Sequence, residues 1–289
     1  MKVFVTGATG FIGTAIVQDL IGAGYQVLGL ARSAASAQKL VDAGAEVLRG
    51  DLEDLESLKN GAAQADGVIH AGFIHDFTRF AEVCEVDKVA IKTIGDVLAG
   101  RPFIVTSGTA LVSPGQLATE DIKPPVNPGW PRASEQAGDA VGAATVRLSP
   151  SVHGDDDKHG FVPILVSLAR EKGFSAYIGE GQNRWNAVHR LDAAHLFRLA
   201  LENAEPGARY HASAEEAITV KSIAEAIGKQ LNIPVKSINP DDAAEHFGWF
   251  AHMAAIDCPS SSSWTQQTLN WRPTHSTLLA DIENGIYTQ

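Results

Sequence analysis

Three glycines near the start of the chain stand at a spacing suited to phosphate chemistry. The segment Thr6-Gly7-Ala8-Thr9-Gly10-Phe11-Ile12-Gly13 follows the apolar run Lys2-Val3-Phe4-Val5 and leads into a helical stripe of Ile12, Ala15, Ile16, Leu20 and Ile21. Strand, glycine turn and helix in that order form the phosphate-binding unit of a dinucleotide fold. Gly7 permits the tight turn, Gly10 lets backbone approach a pyrophosphate, and Gly13 lets the helix pack on the strand. The helix N-terminus offers free N–H groups and a partial positive charge to the phosphates. Thr9, Phe11 and Ile12 complete the set of candidate contacts.

Such a turn works only inside a frame, and the pattern of the chain supplies one. Short β-prone runs at 2–6, 25–31, 45–49, 67–71, 102–107 and 144–148 alternate with helical segments at 13–23, 34–43, 54–62, 80–98 and 134–142. This alternation predicts right-handed βαβ units stacked into a doubly wound parallel sheet, an α/β fold of Rossmann type. After Ser149-Pro150 the rhythm loosens. A charged loop is expected at 154–160, helices at 163–172, 192–203 and 222–231, and a strand at Tyr177-Ile178-Gly179. Phe247, Trp249, Phe250, Trp264 and Trp271 suggest a small aromatic core of the tail's own, and Ser260 to Ser263 a loop or helix cap. The expected division is a dinucleotide-binding domain over 1–150, rejoined by 186–212, with 151–289 mainly a smaller substrate lobe.

Taken together, the motifs resemble the short-chain dehydrogenase/reductases over nearly the whole chain. The GxxGxxG spacing is similar to that of the extended type, part of an NAD(P)-dependent epimerase/dehydratase-like superfamily that includes sugar epimerases and 3β-hydroxysteroid dehydrogenase-like proteins. Gly50-Asp51-Leu52 resembles the adenine-contacting acid and its neighbour, and His70-Ala71-Gly72-Phe73 the fourth-strand turn beside the cofactor. Thr106-Ser107-Gly108 resembles the strand end that carries the catalytic serine. Arg147-Leu148-Ser149-Pro150-Ser151-Val152-His153-Gly154 is similar to the RPxxVYG stretch beside the nicotinamide, and residues 186–194 to N-x-VHVxDVA. The resemblance implies cofactor contacts from Asp51, Leu52, Ala71, Gly72, Phe73, Thr106, Pro150 and Val152, and a catalytic role for Ser107.

An NAD-binding fold usually carries an acid at the end of the second strand for the ribose 2′-hydroxyl. Here that place reads Leu30-Ala31-Arg32-Ser33-Ala34, with no acid between Gln26 and Leu40. Arg32 can pair bidentately with a 2′-phosphate and Ser33 can donate to it, so NADP(H) is the expected cofactor. The family's Tyr-x-x-x-Lys pair is missing, which makes the resemblance that of an atypical member. The four tyrosines are Tyr25, Tyr177, Tyr210 and Tyr287, and the region before the sixth strand reads Asn127-Pro128-Gly129-Trp130-Pro131-Arg132-Ala133-Ser134-Glu135. Arg132 lies near the vacated positions, where it could bind a ribose or an anionic substrate, or be a surface charge at a helix start. It cannot serve as a base. His70, His153, His159 and His189 are candidates for the missing acid, each set against an ordinary structural role.

Composition narrows the function classes. A net charge of −11 over 289 residues argues against binding nucleic acid. The two cysteines, Cys84 and Cys258, have no metal or disulfide spacing, and Asp155-Asp156-Asp157 lacks companion ligands, so no metal is expected. No apolar run reaches the length of about 18 residues expected of a membrane span, and a cytoplasmic setting is the default. The expected activity is NADP(H)-dependent hydride transfer to or from a small carbonyl or alcohol substrate, possible as a homodimer. The alternatives are a non-catalytic NADP-binding sensor and a nucleotide-sugar epimerase or dehydratase.

Overall fold

The computed structural model describes residues 1–110, 112–124 and 131–287. The first half runs β1 (Lys2–Thr6), α1 (Phe11–Gly22), β2 (Gln26–Ala31), α2 (Ala34–Asp42), β3 (Glu46–Arg49), α3 (Leu55–Ala63), β4 (Gly67–His70), α4 (Phe80–Leu98), β5 (Phe103–Gly108), α5 (Ser134–Ala140) and β6 (Ala144–Leu148). The second half runs β7 (Ser151–His153), α6 (Phe161–Lys172), β8 (Ser175–Ile178), β9 (Arg184–His189), α7 (Arg190–Glu202), β10 (Arg209–Ala212), β11 (Glu215–Thr219), α8 (Val220–Leu231) and β12 (Val235–Ile238). Four short helices follow: α9 (Ala243–Phe247), α10 (Ala251–Ala255), α11 (Ser263–Leu269) and α12 (Leu278–Glu283).

Val3, Phe4 and Val5 are fully buried, as a strand covered on both faces requires. β1 lies inside a seven-stranded parallel sheet of order β10-β6-β5-β4-β1-β2-β3. Alternate side chains feed two layers. Val3 and Val5 join Ile16, Leu20, Phe197 and Leu201 of α1 and α7 on one face. Phe4 joins Leu58, Ala90, Ile91 and Ile94 of α3 and α4 on the other. α1 and α7 are further tied by Arg198 to Asp19 at 2.6 Å. Because β1 lies between β2 and β4, the chain leaves in opposite directions on its two sides. The crevice at the C-terminal ends of β1 and β4 is the topological switch point, where ligands of such sheets bind.

The second half adds a three-stranded sheet, β11-β9-β7, and the parallel pair β12-β8. Its core centres on Trp185, Phe247, Phe250, Ile223 and Ile227. β9 belongs to this smaller sheet, so the chain's return to the large one begins at Arg190, with α7, and ends with β10 beside β6. The tail aromatics do not share one core. Phe247 and Phe250 pack in the second core, whereas Trp271 is fully buried in the first and donates its indole N–H to the Asp192 carbonyl at 3.0 Å. Trp264 stacks on Tyr210 at 5.8 Å, and Trp249 is 69% exposed. The physical reason is that the chain after α10 crosses back to cover the β10 edge of the large sheet.

Candidate active site

The glycine turn sits at the switch point, and its three glycines have different causes. Gly7 has φ +67°, and a Cβ there would lie 2.6 Å from the Ala71 backbone. A Cβ on Gly13 would fall 1.9 Å from the Gly7 carbonyl oxygen. Packing within the chain dictates both. Gly10 is different: its φ is −77°, its surface is exposed, and a Cβ would meet only the Gly7 oxygen, at 3.3 Å. A methyl group there would need the Gly7 carbonyl to give by only a few tenths of an ångström, so packing constrains Gly10 far less than Gly7 or Gly13 and leaves its backbone bare toward the crevice.

The helix behind that turn is open. α1 has no side-chain cap and no acid in its first turn. By contrast Ser33 caps α2, accepting from the Ser36 N–H at 3.0 Å, and Asp54 caps α3, accepting from the Ser57 N–H at 3.2 Å. Uncapped N–H groups with an unopposed dipole attract an anion. Arg190 adds a cation: its guanidinium lies 5.3 Å over the Phe11 ring, and its buried Nε has no hydrogen-bond partner among the described residues. An open helix end, a bare glycine and an orphaned donor fit a pyrophosphate.

At the tips of the next strands two arginines meet. Ala31 and Arg49 are register partners in β2 and β3, and Arg49 donates from Nη2 to the Arg32 carbonyl at 3.3 Å. Both arginine side chains are exposed. Arg49 was not singled out from sequence, although it ends the strand next to Arg32. The Ser33 hydroxyl is engaged with Ser36 at 3.0 Å. Asp51 accepts from the Glu53 and Asp54 N–H groups at 2.8 and 3.0 Å, shaping the turn before α3. Leu52 reaches Gly72, where an added Cβ would lie 3.2 Å from it.

A buried polar chain runs from the turn to the opposite flank. The Gly72 N–H donates to Thr6 Oγ1 at 3.2 Å, and Thr6 Oγ1 meets His70 Nδ1 at 2.9 Å. His70 Nε2 meets Asp87 Oδ1 at 3.1 Å, and the Ser134 hydroxyl donates to Asp87 Oδ2 at 2.5 Å. Arg132 donates from Nε to Ser134 Oγ at 3.1 Å, with its guanidinium 4.3 Å over the Phe73 ring. Burial raises the Asp87 carboxyl, but the His70 contact and the Arg132 charge outweigh it and hold the group below the usual carboxylate range. Burial pushes the Arg132 guanidinium down against the pull of Asp87.

The next residue anchors this flank. Glu135 is 2% exposed and takes two hydrogen bonds from the fully buried Arg147, at 3.0 and 2.6 Å, and one from Arg209 at 2.5 Å. Arg147 also meets His211 at 3.0 Å. Burial, then the Arg147 charge, pushes the His211 imidazole down to about 4.

Thr106 braces the crevice by donating to the His70 carbonyl at 2.8 Å. Ser107 is half-buried at the end of β5, and its hydroxyl makes no hydrogen bond among the described residues. Ile12 and Val152 both pack against the first core, with Pro150 half-buried just before Val152. Thr9 lies within the turn itself.

The other titratable candidates go elsewhere. His153 is 1% exposed and bonded to Asp281 at 2.6 Å. His189 caps α7 and stacks on His275 at 4.8 Å. Tyr25 bonds Glu202, Tyr287 bonds Asp157, Tyr210 is buried, and Tyr177 stands beside Lys221. Residues 127–130 of the vacated region lie outside the described residues. Among the described residues there is no cluster of three metal-ligating side chains and no helix long and apolar enough to cross a membrane.

A parallel sheet with an open glycine turn at its switch point defines a Rossmann-type dinucleotide-binding protein. A model of the NAD dependent epimerase/dehydratase family matches residues 3–115. An uncharacterized Schizosaccharomyces pombe protein is 50% identical over 295 residues, covering 99% of this chain and 100% of the relative. A 2-alkyl-3-oxoalkanoate reductase of Stenotrophomonas maltophilia is 30% identical over 226 residues, 72% of this chain and 67% of the reductase. The Thermus thermophilus UDP-glucose 4-epimerase, solved with NAD, shares the fold with a TM-score of 0.74 at 21% identity, over 99% of this chain and 98% of the epimerase. The chain belongs to the NAD-dependent epimerase/dehydratase family.

Proposed function

We propose that this protein is an NADP(H)-dependent oxidoreductase that moves a hydride to or from a small carbonyl or alcohol substrate. The observation that carries the reading is the bare Gly10 face in front of an uncapped α1, with the unpartnered Arg190 Nε beside it. The reductase relative is consistent with it. When bound, the cofactor supplies the hydride chemistry. The chain's own residues hold and orient. The glycine turn and α1 take the pyrophosphate, and Arg32 with Arg49 takes the 2′-phosphate, where no acid stands to repel it. The Ser107 hydroxyl holds the substrate oxygen. Arg132 places a ribose or an anionic substrate group, and its high basicity excludes it as the proton acceptor.

A second reading is a sensor that binds NADP without turnover. The absence of Tyr and Lys between Lys123 and the sixth strand favours it.

One pair of measurements separates these readings. Purified protein is titrated with NADPH and with NADH by fluorescence, then mixed with NADPH and a panel of aldehydes, ketones and quinones while NADPH absorbance is followed. NADPH is expected to bind at least about tenfold tighter than NADH, and Arg49→Ala to remove about fivefold of that preference, as a charge-assisted contact would. Equal or tighter NADH binding overturns the cofactor assignment. Tight NADPH binding with no oxidation across the panel selects the sensor. With turnover, Ser107→Ala is expected to lower kcat about a hundredfold at unchanged NADPH affinity.

A further inference from the structure

Asp87 is a carboxylate buried to 3% exposure in the middle of α4, facing no solvent and holding no substrate position. Its two oxygens receive two separate arms. One begins at the Gly72 N–H beside the glycine turn and passes through Thr6 and His70. The other begins at the guanidinium stacked on Phe73 and passes through Ser134. Thr6, His70, Asp87 and Ser134 are each at least 97% buried. In a dry site each donor needs an acceptor, and an unmatched one carries the full desolvation penalty.

With a neutral His70 ring, an ionised Asp87 satisfies every link in one direction only. It accepts on both oxygens, so His70 carries its proton on Nε2 and Ser134 donates its hydroxyl proton. His70 Nδ1 then accepts from the Thr6 hydroxyl, which leaves Thr6 Oγ1 to accept the Gly72 N–H. Ser134 Oγ is left to accept the Arg132 Nε–H. We propose that Asp87 is the positioning residue of the cleft, coupling the glycine turn that holds the cofactor to the placement of Arg132 on the opposite flank. The coupling is reciprocal: fixing Gly72 by a bound dinucleotide favours the ordered Arg132, and an occupied Arg132 favours dinucleotide binding. This rests on the reading that the turn binds NADP(H).

The sharpest variant is Asp87→Asn, which keeps the shape but cannot accept on both arms. Its amide must donate to one, and that arm then reverses. NADPH affinity is expected to fall about tenfold, as for one charge-assisted hydrogen bond. The Nε2–H signal of His70 and the Nε–H signal of Arg132 are both expected to shift in spectra of protein labelled with ¹⁵N at histidine and arginine. Ser134→Ala touches the turn only through Asp87 and His70. It is expected to weaken NADPH binding about threefold and to move the His70 signal. Thr6→Val, at the other end, is expected to move the Arg132 signal.

The proposal fails if wild-type protein binds NADPH and Ser134→Ala leaves both that affinity and the His70 ring signals unchanged. It fails equally if Thr6→Val and Ser134→Ala combine additively in NADPH affinity, a measurement that stands even if Asp87→Asn does not fold. Wild-type protein that binds no NADPH defeats the functional reading instead, and the ring and guanidinium signals then still report whether the two arms communicate.

Discussion

The glycine turn and the Arg132 flank face each other across one crevice and are held by opposite means. The turn is set by sterics. Gly7 and Gly13 are forced by backbone atoms 2.6 and 1.9 Å from where a side chain would begin. The flank is set by charge. Arg132 is placed through Ser134 and Asp87, and α5 is pinned by Glu135 in a buried cluster with Arg147 and Arg209. A steric device fails when a side chain is enlarged, an electrostatic one when a charged partner is lost.

The largest test of that contrast lies on the flank. Glu135→Ala leaves the fully buried Arg147 without its carboxylate. An uncompensated buried charge costs about 3–5 kcal/mol, and Arg209 loses a partner too. Chemical denaturation is expected to show a loss of this size. A loss under about 1 kcal/mol would mean that Arg147 finds water, and that the flank is not a sealed cluster.

A smaller effect comes from pH. The unfolded chain takes up a proton on His211 near pH 6.5, whereas the folded chain refuses it until about pH 4, because burial and Arg147 disfavour the cation. Stability from this group is therefore complete above pH 6.5 and falls as the pH drops toward 4, by about 3 kcal/mol. Glu135 works in the same direction at lower pH, since Arg147 and Arg209 hold its carboxyl below the usual range against burial. The difference in stability between wild type and His211→Asn, followed from pH 7 to 4, isolates the histidine. The wild type is expected to lose more over that interval, and parallel curves would remove His211 from the account.

The two regions also differed in how far the sequence revealed them. The turn is local: its strand, glycines and helix lie within Lys2–Gly22, and their order carries the geometry. The flank gathers residues 6, 70, 87, 132 and 134 from four elements and the segment before α5. No spacing rule links Asp87 to Ser134, and His70 read as part of the fourth-strand turn and as one of several candidate acids, not as a link between Thr6 and Asp87. Arg49 escaped notice because strand adjacency in a parallel sheet depends on register, which pairs it with Ala31. β7, β9, β11 and β12 were similarly hard to see, being short strands of three to six residues without clear alternation. Trp271 shows the same limit, since only the folded path takes it from the tail into the first core.

The finest test separates two glycines within the turn. In Gly13→Ala the new methyl would stand 1.9 Å from the Gly7 carbonyl oxygen, so the backbone must shift, at a cost of about 3 kcal/mol in stability. In Gly10→Ala the methyl meets only one oxygen, at 3.3 Å, a tight contact that a shift of a few tenths of an ångström relieves, and φ of −77° suits alanine, so the stability loss is expected to stay at about 1 kcal/mol, well below that of Gly13→Ala. The same methyl occupies the face left bare for the pyrophosphate, so NADPH affinity is expected to fall about a hundredfold, equivalent to about 2.7 kcal/mol. Thermal melts and NADPH titrations on both variants decide the matter. If Gly10→Ala binds NADPH as wild type does, the bare face is not the pyrophosphate seat. The difference between Gly10 and Gly13 would then be one of packing alone, with Gly13 forced by the Gly7 carbonyl and Gly10 free to vary.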